Sequence, residues 1–356
     1  MSSKNGTALV VGGGIIGTTS AFRLAREGWR VTLFDASPGS GATWAAAGML
    51  APGAEAAPGE RRNYELQRNA VAAWRDVARE LREVTGETLD VVETGTLLVG
   101  YDAGDRRLVE QFEYVAHEFG VAYERVTRES HPSYFEGLTP RVRDGVFLAG
   151  DAWLDPDQAM KLLTDAGRAL GVEMIRERVD AVSSLDGHVE VTTATGSTQG
   201  DVGLLATGSS VLPKGVAESV DHSVRPVRGM TVRVSGFDRS TQPVVRAFVR
   251  GRSFYVVSRP GGYCVLGASS DEQSDLVVEV GELQRLLRDA LDVVPSLETA
   301  SVVETRQGLR PATSDLSPFL EMVDQRWAWA SGHYRHGVTL APLTAREVAD
   351  FAKALA

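Results

Sequence analysis

Apolar and polar positions change period several times along this chain, and each change marks an element. An unbroken apolar run, Thr7-Ala8-Leu9-Val10-Val11, predicts a strand buried on both faces. Ile16, Ala21, Leu24 and Ala25 then fall on one helical face, with Arg23, Arg26 and Glu27 polar, until Gly28 ends the helix. Residues 30–35 predict a second strand. Helical spacing returns at Leu66, Ala70, Ala73, Val77, Leu81 and Val84, predicting a long amphipathic helix over 64–85, and again at Leu108, Phe112, Val115 and Phe119. A strand over 95–100 separates the two. Pro132, Pro140 and several glycines predict that 128–145 connects two domains.

Strand character resumes at 145–148, and Asp155-Pro156-Asp157 starts a helix running to about Leu170. Strands are expected at 173–182, 189–192 and 202–205. From Val224 to Leu266 the period shortens to two, giving strands at 231–234, 244–249, 254–257 and 263–266, the last pair joined by Pro260-Gly261-Gly262. That succession predicts an antiparallel sheet, unlike the parallel pattern near the N-terminus. Leu283, Leu286, Leu287 and Ala290 predict a further helix, 327–330 a strand, and Thr344-Ala345-Arg346-Glu347 a capping box on the last helix. The fold class is therefore α/β, a doubly wound part combined with an α+β part.

Composition narrows the function. A chain of 356 residues has room for about two domains, and 43% hydrophobic with 24% charged residues is ordinary globular usage. The net charge of -10 is spread without a basic block, which argues against a nucleic-acid partner. The first strand is too short for a signal-peptide core or a membrane span, so a cytoplasmic protein without membrane contact is expected. Cys264 is the single cysteine, which excludes an internal disulfide and a thiolate metal cluster.

The first strand opens directly into Gly12-Gly13-Gly14-Ile15-Ile16-Gly17, a G-x-G-x-x-G turn. Gly12 permits the tight turn, Gly14 lets a pyrophosphate approach the backbone, and Gly17 lets helix and strand pack closely. Ile15 and Ile16 begin a helix whose N-terminus offers unpaired N–H groups to phosphate. Asp35, followed by Ala36, ends the second strand where a ribose would accept its hydrogen bonds. Strand, turn, helix and acid in this order predict dinucleotide binding but leave NAD and FAD open. The next stretch argues for FAD: residues 39–52, including Thr43, Ala46, Ala47, Gly48 and Met49, are almost all small, as close passage of a long flavin nucleotide requires.

Here the sequence resembles the D-amino-acid oxidase and glycine oxidase family of FAD enzymes, in which a Gly-Ala-(Ser/Thr) segment leading to Ala-Ala-Gly-Met-Leu lines the flavin. Gly308-Leu309-Arg310-Pro311 and Gly332-His333-Tyr334-Arg335-His336-Gly337 extend the resemblance over essentially the whole chain and point to its glycine oxidase branch. It implies a Rossmann-like FAD-binding domain from 1–86, 146–222 and 309–356, interleaved with a substrate domain from 87–145 and 223–308. It implies non-covalent FAD, met by the Ala206-Thr207-Gly208 turn, by the backbone near Val179, by His333, and by Gly337, Val338 and Thr339 at the flavin edge.

The same resemblance implies that Arg310 and Arg335 sit at a substrate carboxylate and that the Tyr255 hydroxyl reaches it too. The chemistry agrees, because a buried carboxylate needs a fork of donors and two arginines in one pocket need an anion. The implied reaction is oxidation of a small amino acid, glycine by default, to its imine, with hydride leaving Cα for the flavin and O₂ reduced to H₂O₂. A D-amino-acid or N-methyl-amino-acid oxidase, a dehydrogenase and a non-catalytic flavin subunit are the alternatives. Self-association is left open. His333 and His336 are read as packing residues, and Phe319-Leu320-Glu321 departs from the family pattern at a place expected to lie near the pocket.

Overall fold

A computed structural model describes residues 5–185, 187–215 and 223–355, so the domain edge expected at 222 falls outside the described residues. Thr7–Val11 lies inside a six-stranded sheet ordered Phe319–Met322, Trp327–Ser331, Val202–Leu205, Thr7–Val11, Arg30–Phe34, Glu173–Ile175. Its neighbours run parallel except for the antiparallel edge pair 319–322 and 327–331. A strand with no polar face must be covered twice, and this one is. On one side Val10 packs with Ala21 and Leu24 of helix Ile15–Arg26 and with Val348 and Ala349 of helix Gly337–Leu355. On the other, Leu9 and Val11 pack against Val189, Val191 and Trp329 beneath a three-stranded antiparallel sheet.

The second large sheet has eight strands, ordered Ser301–Ala312, Arg225–Ser235, Tyr263–Gly267, Arg252–Arg259, Val244–Val249, Thr96–Gly100, Asp144–Leu148, Glu124–Thr127. All pairs are antiparallel except 244–249 with 96–100. Helix Val280–Val293 lays Leu286, Ala290 and Val293 on Val232, Phe254, Val256 and Leu266. Because side chains alternate faces, Tyr255 points away from that core. The register sets Arg246 opposite Tyr255, and Tyr255 opposite Gly267.

Several expectations are corrected. Residues 128–145 join strands Glu124–Thr127 and Asp144–Leu148, which pair with each other, so this stretch is a loop within one sheet and not a domain connection. The strand expected over 173–182 is two strands in different sheets, Glu173–Ile175 and Val179–Leu185. The expected amphipathic helix is present as Arg61–Thr85 with Ala70, Ala73, Val77 and Leu81 buried; its buried face also takes in Asn63, Tyr64, Gln67, Val71 and Trp74, while Leu66 and Val84 are half-buried. Thr344 stands inside helix Gly337–Leu355, so the Thr344-to-Glu347 pattern caps nothing; its hydroxyl pairs with His333 Nε2 at 2.9 Å instead. No helix among the described residues is long and apolar enough to cross a membrane.

Candidate active site

A cavity of about 820 Å³ lies where the C-terminal ends of the parallel strands meet the antiparallel sheet. At its first end is the glycine turn. Gly12 has φ +109°, and a Cβ there would lie 2.3 Å from the Ala206 carbonyl oxygen. At Gly17 a Cβ would lie 1.9 Å from the Gly12 carbonyl oxygen, which is why helix and strand can approach only through glycine. Asp35 fastens this turn: its carboxylate accepts from Gly13 N–H at 2.6 Å and Ser37 N–H at 2.7 Å while still bordering the cavity. Thr43 Oγ1 accepts from Ile15 N–H at 3.0 Å, while Gly14 at the N-cap has no side chain to cap the N–H groups that follow.

Most of the residues read from the sequence meet here. Gly12, Gly14, Ile15, Ile16, Asp35, Thr43, Ala46, Ala47, Gly48, Met49, Thr207, Gly208, Tyr255, Arg310, His333, Arg335, Gly337, Val338 and Thr339 all border the cavity. Three do not. Gly17 lies behind the turn, Ala36 is exposed, and Val179 packs in the cluster with Val11 and Phe34. Phe319 also lies off the cavity, with its ring edge-on to Trp329 at 4.9 Å between centroids, so the departure from the family pattern at 319–321 does not touch this wall.

At the far end, Arg310 Nη1 donates to the Ser269 carbonyl at 3.2 Å and the Arg228 carbonyl at 3.4 Å. Gly229 makes room for it, since a Cβ there would lie 2.1 Å from the guanidinium; Gly267 likewise leaves space for the Tyr255 ring. Burial pushes the Tyr255 hydroxyl up to about 12, so it remains a neutral donor. Burial lowers His333 to about 4 and His336 to about 4, leaving both imidazoles uncharged at neutral pH.

Two residues were not visible in the sequence. Glu55 and Arg246 both border the cavity and form an ion pair. Glu55 Oε2 also stands 3.3 Å from Arg335 Nη2. Burial alone would raise the Glu55 carboxyl, but Arg246 and Arg335 override it and bring it down to about 2. The expectation that Arg335 needs a substrate for its anion is therefore corrected: the protein supplies one. Nothing in Ala54-Glu55-Ala56 marks this glutamate, whereas an arginine inside a strand run at 244–249 was a signal that could have been weighed.

A family model described as FAD dependent oxidoreductase matches residues 7–351. The chain belongs to that family. Glycine oxidase of Geobacillus kaustophilus is 30% identical over 96% of this chain and 91% of its own length, and glycine oxidase of Bacillus licheniformis is 28% identical over 98% and 93%. An oxidoreductase of Rhizobium etli named for thiamine biosynthesis is 32% identical over 96% and 94%. The crystal structure of the Geobacillus kaustophilus glycine oxidase superposes with a TM-score of 0.89 at 27% identity, over 98% of this chain and 95% of that one.

The cofactor is FAD, and the cavity fits it. The Thr207 hydroxyl is buried in the wall without a hydrogen-bond partner among the described residues, as a group awaiting a ligand would be. A Cβ added at Gly14 would meet nothing nearer than Thr43 Oγ1 at 3.4 Å, and one at Gly41 or Gly208 would meet nothing within 4 Å, so bare backbone faces the space. Gly14 and the N–H groups after Ile15 at the N-terminus of helix Ile15–Arg26 would hold the pyrophosphate, and Asp35 the ribose. The N-terminus of the 19-residue helix Gly337–Leu355, with Gly337, Val338 and Thr339 in the wall, would face the flavin with its positive dipole end.

Proposed function

We propose that this enzyme is an amine oxidase acting on a small amino acid, with glycine as the first substrate to test. The observation that carries this reading is that the Arg310 guanidinium and the Tyr255 hydroxyl border one cavity whose other end is built for a dinucleotide. Arg310 would take the substrate carboxylate in its fork, and Tyr255, neutral across the working range, would donate to the same group. Holding the carboxylate at one fixed point orients Cα, which converts a collision into a positioned encounter. Bound FAD would supply the acceptor for the Cα hydride and the route for its electrons to O₂. The amine must arrive neutral for its lone pair to assist; His333 and His336, uncharged at neutral pH, add no positive charge beside it. Water then converts the imine to the 2-oxo acid and ammonia. The kinship with the Rhizobium etli protein favours use of a glycine-derived imine in thiazole formation.

Residues 1–86, 146–222 and 309–356 would hold FAD, with 87–145 and 223–308 on the substrate side. The sheets shift two of these edges, because Asp144–Leu148 and Ser301–Ala312 pair within the eight-stranded sheet and so put 146–148 and 309–312 on the substrate side. Cys264 is fully buried in that sheet's core and does not border the cavity, which favours FAD held without a bond to cysteine. The test is H₂O₂ release by purified protein with glycine, sarcosine and small D- and L-amino acids. Release with at least one of them is expected, and silence with all of them overturns the reading. Acid precipitation of the same preparation should leave the yellow colour in the supernatant; a yellow pellet would mean a covalent flavin.

A further inference from the structure

Glu55 is held in place by the chain around it. Asp151, 1% exposed, accepts from Gly53 N–H at 2.8 Å and Ala54 N–H at 3.1 Å, which clamps the loop that carries the glutamate. The side chain of Glu55 is 15% exposed and stands between Arg246 of strand Val244–Val249 and Arg335 of the turn Tyr334–His336. One carboxylate oxygen contacts Arg246 and the other faces Arg335. Arg246 is 8% exposed, and its Nε–H is buried without a partner among the described residues.

Three guanidiniums, those of Arg246, Arg310 and Arg335, thus border one end of the cavity, and Glu55 engages two of them. Among the described residues Arg310 donates to main-chain carbonyls and has no carboxylate within ion-pair distance. One guanidinium without a carboxylate beside it matches one substrate carboxylate. An arginine buried beside the reacting space would otherwise recruit any anion present, because an unpaired buried charge is costly.

We propose that Glu55 determines substrate specificity, by occupying Arg246 and Arg335 so that the pocket accepts amino acids carrying a single carboxylate and rejects dicarboxylic amines. This rests on the amine-oxidase reading above. Removing the glutamate would expose two guanidiniums to a second carboxylate, while the contacts of Arg310 and Tyr255 would remain. Its carboxyl, lowered to about 2, stays ionised wherever the enzyme works, so the exclusion does not depend on pH in the neutral range.

The experiment compares wild-type holoenzyme with Glu55→Gln and Glu55→Asp. kcat/KM is measured for glycine and for iminodiacetate, and Kd for acetate and malonate from the change they cause in bound-flavin absorbance. A charge-assisted fork to a freed arginine should move both the iminodiacetate-to-glycine ratio and the malonate-to-acetate ratio by about tenfold or more in Glu55→Gln. Glu55→Asp should move them part of the way, since its carboxylate is one methylene short of holding both arginines. A structural role alone would lower both substrates by the same factor and leave both ratios where they were, and that outcome overturns the proposal. Should Glu55→Gln fail to fold, Glu55→Asp decides: malonate must gain several-fold on acetate. An enzyme that oxidises no amine defeats the function; unchanged ratios in a working oxidase defeat the inference about Glu55 alone.

Discussion

Arg310 leaves its strand toward a space that Gly229 has vacated, since any side chain there would occupy the position of the guanidinium. Ser269 and Arg228 carbonyls fix one edge of the fork, and the following Pro311 limits the backbone that carries it. A hydrogen bond to a charged group is worth about 1.5–3 kcal/mol. Arg310→Ala should therefore lower kcat/KM for an amino acid by about one to two decades. Arg310→Lys should recover part of this, because an ammonium lacks the second parallel donor. The comparison that decides is between an amino acid and its uncharged amine analogue: equal losses for both would assign Arg310 to the fold. Arg310 and Tyr255 were legible because each sits in a recognisable local segment. Glu55 was not, because its meaning comes from Arg246 and Arg335, which no local pattern connects to it.

At the scale of elements, the glycine turn is a junction of three parts: strand Thr7–Val11, helix Ile15–Arg26 and the Ala206-Thr207-Gly208 turn. Gly17→Ala would drive a methyl group into the Gly12 carbonyl, whose position the strand fixes. Overpacking of this kind costs about 1–3 kcal/mol. The expected result is protein that folds with a lowered Tm and purifies with little flavin, read from the flavin-to-protein absorbance ratio. Full flavin content and an unchanged Tm would mean that the helix can shift outward at no cost. Other elements show why local pattern misleads. Residues 128–145 look like a linker because prolines and glycines gather there, yet sheet pairing on either side makes them an internal loop. The 173–182 run reads as one strand because period-two alternation says nothing about which sheet each half joins.

For the molecule as a whole, the burial of ionisable groups around the cavity sets its response to acid. His333 and His336 are 3% and 4% exposed, and burial lowers each from 6.5 to about 4. The unfolded chain takes up protons first as pH falls, so this part of the stability is present above pH 6.5 and is lost as pH falls through 4. Each histidine then accounts for about 3 kcal/mol at most, from roughly 1.36 kcal/mol per pKa unit. Glu55 adds a second window, stability present above 4.5 and lost as pH falls toward 2. Asp151, raised by burial to about 7, works the other way and gains stability as pH falls from 7 toward 3.8, so the histidine effect is read as a difference: between pH 7 and 4 the wild-type apoprotein should lose more Tm, or gain less, than His336→Gln. Parallel profiles for wild type and His336→Gln would show that His336 titrates as in water. The sequence by itself determined the order of parallel and antiparallel regions, the nucleotide turn with Asp35, and the Arg310 and Tyr255 segments, because periodicity and turn chemistry act over a few residues. The tertiary structure alone decided strand register, the split at 173–182, and the meeting of Glu55, Arg246 and Arg335. Those depend on packing between distant segments, and a local pattern records a residue's own face but not what the fold sets opposite it.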